Sequence, residues 1–257
     1  MLFLALPAYD SHEVISTFVI VDNFEINFDA LIKHLGDIGL ELRFKLLPEF
    51  MIADILGILA SRGISYSCWE DKDSFDYLID VNDFVSAAGS PYRHIRWRMS
   101  RFTSNWASLV EPYSFDPTSP ADVELAEALV AKWCRTKSNR GMSAEFVDTA
   151  YSRFLTAAQR SNRIGFTCFC LNGEMIGLTG WELAGDNTAV GHFLLHDFEI
   201  ANIFYYVVRE TCKELVSHGV KVLNIEQDLG LSGLRAAKQS LRPAGFLKKY
   251  SLEIELS

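Results

Sequence analysis

The chain has no apolar run of the roughly 20 residues that a membrane-crossing helix needs, although 49% of its 257 residues are hydrophobic. Met1 to Ala8 is apolar but lacks a cationic start and is too short for a secretory signal. A cytoplasmic protein is therefore expected. Its five cysteines show neither a CxxC spacing nor a His/Cys cluster of zinc type. Cys168 and Cys170 fall two apart in an expected strand, on one face, and read as reduced core thiols. No Walker loop, Rossmann glycine motif, GxSxG elbow or zinc-protease helix occurs. Internal repeats and low-complexity tracts are absent as well.

Positive charge is scarce and unevenly placed. The net charge of −9 argues against a general nucleic-acid coat protein, and no DNA partner is expected. Residues 91–106 nevertheless hold Arg93, Arg96, Arg98 and Arg101 without an acid. Residues 233–250 hold Arg235, Lys238, Arg242, Lys248 and Lys249, again without one. Those nine of the 24 cations leave 15 against 33 acids. Such segregation builds a local positive field that draws an anionic partner to a mostly acidic body.

The first 105 residues read as mixed α/β. Strands are expected at Val14 to Val21, Glu41 to Leu47, Tyr66 to Trp69 and Tyr77 to Ile79, with helices over Asp29 to Gly39, Pro48 to Ala60 and Pro91 to about Phe102. From residue 106 the order changes. A strand at Leu109 to Tyr113 precedes helices at 120–136 and 143–160. A meander of strands follows at 165–171, 174–182 and 188–195, with Asn172-Gly173 and Gly185-Asp186-Asn187 as turn residues. A helix at 199–217, a strand at 220–225, a helix at 232–241 and a strand at 246–255 complete the chain.

The order β-α-α-β-β-β-α-β-α-β resembles the GNAT (acyl-CoA N-acyltransferase-like) fold, in which two central strands splay apart and the acyl donor lies in the gap. The expected class is α+β: two tandem GNAT-like domains, each a mixed sheet flanked by helices. A shortened N-terminal domain would span residues 1–105 and a C-terminal one residues 106–257.

Two helices and one strand end carry the chemistry. Arg235, Lys238 and Arg242 fall within about 60° of one another on the helix from Leu231, which suits phosphates or a carboxylate; a solvated face of an ordinary amphipathic helix gives the same pattern. On the helix from Pro91, Ile95, Met99 and Phe102 share the buried side, while Arg93, Trp97 and Arg101 recur at i, i+4, i+8 opposite. A tryptophan between arginines can stack on a base or on the terminal adenosine of a tRNA. It can equally pack against a neighbouring domain. Glu226 and Asp228 stand at the carboxyl end of a strand, where α/β folds place ligands. Either can remove a proton or hold an amino group; alternatively Asp228 caps the helix and pairs with Arg235. His192 can face the cleft as an acid/base group. His192 and His196, about 13 Å apart on a strand, cannot share one metal ion, and none is expected.

The residues themselves resemble the C-terminal domain family of phosphatidylglycerol lysyltransferase. The resemblance rests on Phe75-Asp76-Tyr77-Leu78, Gly89-Ser90-Pro91-Tyr92, Arg96 to Phe102 and Lys132-Trp133-Cys134. It continues with Asn224 to Ser240, Pro243 and Lys249-Tyr250, and covers roughly residues 40–257. It implies transfer of an amino acid from aminoacyl-tRNA to a hydroxyl or amine of a small molecule or lipid head group, with peripheral membrane contact as one option. It adds Asn224, Gln227, Lys249 and Tyr250 to Arg235, Lys238 and Arg242 as substrate contacts. It implies tRNA contact by Arg93, Trp97 and Arg101, and acid/base or positioning work by Asp228, Glu226 and His192. No cofactor beyond the charged tRNA is implied. The chain departs from the pattern at Leu194 and Leu195, where the family has an acid and a lysine, and at Ile225, where it has an arginine.

Two alternatives stay open. One is an acyl-CoA-dependent GNAT enzyme, but the stretch Asp197 to Asn202 has two acids and no glycine where such enzymes hold a pyrophosphate, which disfavours CoA. The other is a GNAT-fold protein that binds an anionic ligand without catalysis.

Overall fold

The computed structural model describes residues 2–7, 14–19, 32–33, 37, 42–106, 108–139, 147–185 and 187–255. The helix expected over Asp29 to Gly39 lies mostly outside them. Among the described residues no helix is long and apolar enough to cross a membrane.

The chain divides into two compact units. The first comprises Met1–Asp76, Gln227–Arg235 and Phe246–Ser257, and the second Tyr77–Glu226 and Ala236–Gly245. This differs from a division near residue 105, for reasons that lie in the core packing of each unit.

In the first unit, β1 (Leu2–Pro7), β2 (Val14–Val19), β3 (Arg43–Pro48), β4 (Ser65–Glu70) and β12 (Lys249–Glu255) form a sheet in the order β1-β2-β3-β12-β4. The last strand of the chain thus lies between β3 and β4, antiparallel to both. Helix α1 (Glu49–Ser61) buries Met51, Ile55, Ile58 and Leu59, the 3.6-residue stripe of an amphipathic helix. They pack with Phe44, Leu47, Leu252 and Ile254 in one cluster. Burial of this kind contributes about 1.5–3 kcal/mol per large apolar side chain, so β12 belongs with the first unit despite its sequence distance.

The second unit opens with β5 (Asp76–Asp80, whose first residue counts with the first unit), α2 (Val81–Ser86) and α3 (Arg93–Trp106). As expected, α3 buries Ile95, Met99 and Phe102. Ile95 and Met99 join Val208, Cys212 and Leu215, and Phe102 joins Phe169, Ile176 and Val207. These contacts attach α3 to the second unit. Then come β6 (Val110–Tyr113), α4 (Pro120–Asn139), α5 (Val147–Ala158), β7 (Ile164–Leu171), β8 (Glu174–Leu183), β9 (Thr188–His196), α6 (Ile203–Ser217), β10 (Val222–Asn224), α7 (Ser232–Ser240, whose residues up to Arg235 count with the first unit) and β11 (Gly245–Leu247, whose Phe246 and Leu247 do likewise). The sheet order is β11-β5-β10-β9-β8-β7-β6. The β7–β8 turn uses Asn172 at φ 52° and Gly173 at φ 83°, the left-handed pair that a two-residue hairpin demands. The single strand expected over 246–255 is two strands, β11 and β12, placed in different sheets.

Strands β9 and β10 run parallel, but they pair only from Thr188↔Val222 to Val190↔Asn224. Beyond that point the chain follows β5 instead. The Ile225 amide donates to the Tyr77 carbonyl at 2.9 Å and the Tyr77 amide to the Glu226 carbonyl at 3.2 Å. Glu226 then adopts φ 58° and turns away. Among the described residues, 191–196 of β9 are thereby left without a strand partner on the β10 side. The splay that the element order implied is present.

Candidate active site

A bulge marks the lip of this gap. Gly180 of β8 pairs with Phe193 and Trp181 with Gly191, so His192 is the extra residue on β9. Bulges re-aim side chains and occur often beside active sites. Gly180 makes this one possible: a Cβ there would lie 2.4 Å from Phe193 Cζ and 2.7 Å from Phe154 Cε1. The Phe154 ring in turn sits 5.2 Å from the imidazole of His192.

His192 is held between two carboxylates. Its Nδ1 lies 3.1 Å from Glu226 Oε1 and its Nε2 lies 3.2 Å from Glu182 Oε2. The three come from the turn after β10, from β9 and from β8. The hydrogen bond to Glu226, its charge and then Glu182 raise the His192 pKa above the ordinary imidazole value, against the opposing effect of partial burial. With His192 protonated and both carboxylates ionised, the group carries a net charge of −1. Sequence reasoning named His192 and Glu226 separately. It missed Glu182, whose one signal was an acid closing the apolar run of β8.

Asp228 has a different place. It is 2% exposed, and Arg235 donates to both its oxygens, Nε to Oδ2 at 2.7 Å and Nη2 to Oδ1 at 3.0 Å. The same Nη2 reaches Asp73 at 2.6 Å, and the Gly230 amide donates to Asp228 Oδ1 at 2.9 Å. The two acids hold the Arg235 pKa above its ordinary value. Of the two readings of Asp228, this geometry favours the structural one: its carboxylate pairs with Arg235 and closes the turn at Gly230. Arg235 thus spends its Nε and Nη2 donors on two carboxylates.

The expected cation row on α7 also separates. Lys238 donates to the Ile225 carbonyl, with the Tyr77 ring 6.0 Å away. Helix α7 ends at Ser240, and Arg242 takes φ 58°, so the 100° helical step no longer applies to it. Asn224 accepts from the Glu226 amide at 2.7 Å and shapes the turn. In the first unit, Lys249 pairs with the buried Asp76 at 2.5 Å and approaches Gln227 at 3.5 Å. Tyr250 is within 3.5 Å of Glu70. These three serve internal polar contacts.

Arg242 instead joins α3. A cleft of about 440 Å³ in the second unit is lined by Ser90, Pro91, Arg93, His94, Trp97 and Arg242. Trp97 is 52% exposed. Its ring stacks on His94 at 6.1 Å, and the guanidinium groups of Arg98 and Arg101 lie 5.1 and 5.9 Å from its centroid. The expected Arg93, Trp97, Arg101 row is therefore one surface, and His94 is the member that sequence reasoning left out. Arg96 is not part of it: its Nη1 donates to the carbonyls of Ala87 and Gly89 at 2.5 and 2.6 Å.

The loop before α6 is tied down by its own charges. Lys132 reaches Asp197 at 2.8 Å and Glu199 at 3.0 Å, and Arg98 donates to Asn202 at 2.9 Å. The helix expected from residue 199 accordingly begins at Ile203. No group of three or more potential metal ligands occurs among the described residues.

Element order, bulge and splayed strands define a transferase of the GNAT-like α+β class. The family model "Phosphatidylglycerol lysyltransferase, C-terminal" matches residues 49–253, and the chain belongs to that family. No curated protein sequence matches it. Among solved structures, a conserved protein of unknown function from Bacteroides thetaiotaomicron VPI-5482 superposes with a TM-score of 0.81 at 20% identity, over 95% of this chain and 80% of that one. L-PGS from Bacillus licheniformis superposes with a TM-score of 0.66 at 11% identity, over 93% and 77% of the two chains. At these identities the likeness concerns the fold.

Proposed function

We propose that the protein moves an amino acid from charged tRNA to a hydroxyl or amine of a small molecule or lipid head group, in the cytoplasm or at its membrane face. Family membership supports the reaction class. The observation that carries the assignment of chemistry is the His192–Glu226 pair at the bulge, beyond the last β9–β10 contact.

An aminoacyl ester is already an activated donor, so the protein must align the reactants and move a proton. Neutral His192 takes the proton from the acceptor oxygen or nitrogen as that atom attacks the ester carbonyl. Glu226 stabilises the imidazolium that results, much as a carboxylate does in a hydrolase triad. The ester C–O bond then breaks, and the tRNA oxygen leaves with a proton returned from His192. Glu182 positions the ring from its other side. The cluster's negative charge suits the donor's ammonium group. Arg93, Trp97 and Arg101 hold the tRNA acceptor end. Asp228 and Arg235 hold the turn at Gly230 and play a structural part.

The test is transfer from radiolabelled aminoacyl-tRNA into small products of a cell extract. His192→Ala and Glu226→Gln should each lower the rate by roughly 10²–10⁴ with binding of charged tRNA retained, the range for losing a general acid–base group. Wild-type rates in both variants would remove the assignment.

A further inference from the structure

We infer that the α3 cleft binds one nucleotide as a unit, with a base stacked on Trp97 and its phosphate held between Arg93 and Arg242. The inference rests on the reading of α3 as the face that meets the acyl carrier, and names the chemistry this face recognises. Three observations converge. Neither Arg93 nor Arg242 has a carboxylate partner among the described residues, whereas Arg235, Lys248 and Lys249 all do. The cleft's volume of about 440 Å³ lies at the lower end of the range for small-molecule sites. An aromatic ring is 52% exposed at its wall, with guanidinium groups already over it.

A buried aromatic would be core, and an isolated arginine would be a solvated charge. Here the two types alternate around a concavity. An indole offers any base a stacking face regardless of sequence, and uncompensated guanidiniums match phosphate geometry through paired N–H donors. The sharp turn at Arg242 matters because it carries a cation from the far end of the chain to the α3 surface, where the helix repeat would have kept it beside Lys238. Arg101, exposed and 5.9 Å from the indole centroid, is the group that a stacked base would displace.

Three carriers present such a unit: a free mononucleotide, the 3′-phosphoadenosine end of coenzyme A, and the terminal nucleotide of an RNA. Calorimetric titration of the full chain with AMP, coenzyme A and the trinucleotide CCA separates them. Binding of at least one probe is expected, about tenfold weaker in Trp97→Ala and in Arg242→Ala, with Trp97→Phe recovering part of the loss. Tightest binding of CCA identifies an RNA end. Tightest binding of AMP identifies a free nucleotide. Tightest binding of coenzyme A keeps the cleft but overturns tRNA as the donor. Failure of every probe to bind, or affinities unchanged in both alanine variants, overturns the inference. Aminoacyl transfer is measured in the same variants. Failure of every probe to bind with wild-type transfer in both sinks the nucleotide cleft alone, and nucleotide binding without any transfer sinks the proposed reaction alone.

Discussion

Nδ1 of His192 lies 3.1 Å from Oε1 of Glu226, joining the bulge of β9 to the first residue that turns away after β10. The contact bridges the two chain segments that part to form the gap. Its strength therefore depends on the charge of the imidazole, and so does any chemistry in which that imidazole takes a proton.

Glu226 is the largest cause of the raised His192 pKa. Glu226→Gln should move the imidazole titration midpoint down, toward or below the ordinary value of about 6.5. Two-dimensional NMR of the His192 ring protons across pH 5–9, a range of about 4 units around that value, reads this directly. The transfer rate of the wild type should rise as pH passes the elevated midpoint, because only neutral imidazole accepts a proton. In Glu226→Gln the rise should begin at lower pH, at a reduced maximum.

The same shift links to folding with opposite sign. A histidine whose folded-state pKa exceeds its unfolded value stabilises the protein fully below the unfolded pKa, and that stability is lost as pH rises through the folded pKa. Urea midpoints should fall by more in the wild type than in His192→Gln as pH increases from 6 to 9, about 6.5 being the unfolded value. Equal slopes would mean that His192 gains nothing from its two carboxylates.

Gly180→Ala places a methyl against the rings of Phe193 and Phe154 at 2.4 and 2.7 Å. The rings must shift, and overpacking of this kind costs about 1–3 kcal/mol. Denaturant unfolding measures the cost. Because Phe154 abuts His192, the variant should also lose transfer activity beyond what its folded fraction explains.

Asp228→Asn removes the charge that Arg235 answers, while Asn can still accept from the Gly230 amide. A lower melting temperature is expected, with transfer per folded molecule largely kept. A rate loss as severe as that of His192→Ala, at unchanged stability, would return Asp228 to the chemistry.

Much of the second unit was legible in one dimension. The strands at 164–171, 174–183 and 188–196 and the helices flanking them follow from local signals: turn residues at Asn172-Gly173, apolar runs, and the 3.6-residue stripe of Ile95, Met99 and Phe102. Each is set by neighbours a few positions away. The division into units was not legible in this way. It depends on β12 lying between β3 and β4, a long-range pairing that leaves no local mark, and on the break at Lys248 that makes two strands of one expected strand.

For the site, residue types and their approximate places could be read along the chain: acids after β10, cations on α3 and near α7. Helical geometry grouped Arg242 with Arg235 and Lys238, and the fold dispersed all three. Arg235 met two acids, Lys238 met a carbonyl, and Arg242 crossed to Trp97 once the chain left the helix at Ser240. Periodicity sufficed for which face of each element is apolar, since that is a property of adjacent residues. Which charges are spent on one another and which remain for a ligand was decided in three dimensions, because an ion pair forms only where folding brings its partners within a few ångströms.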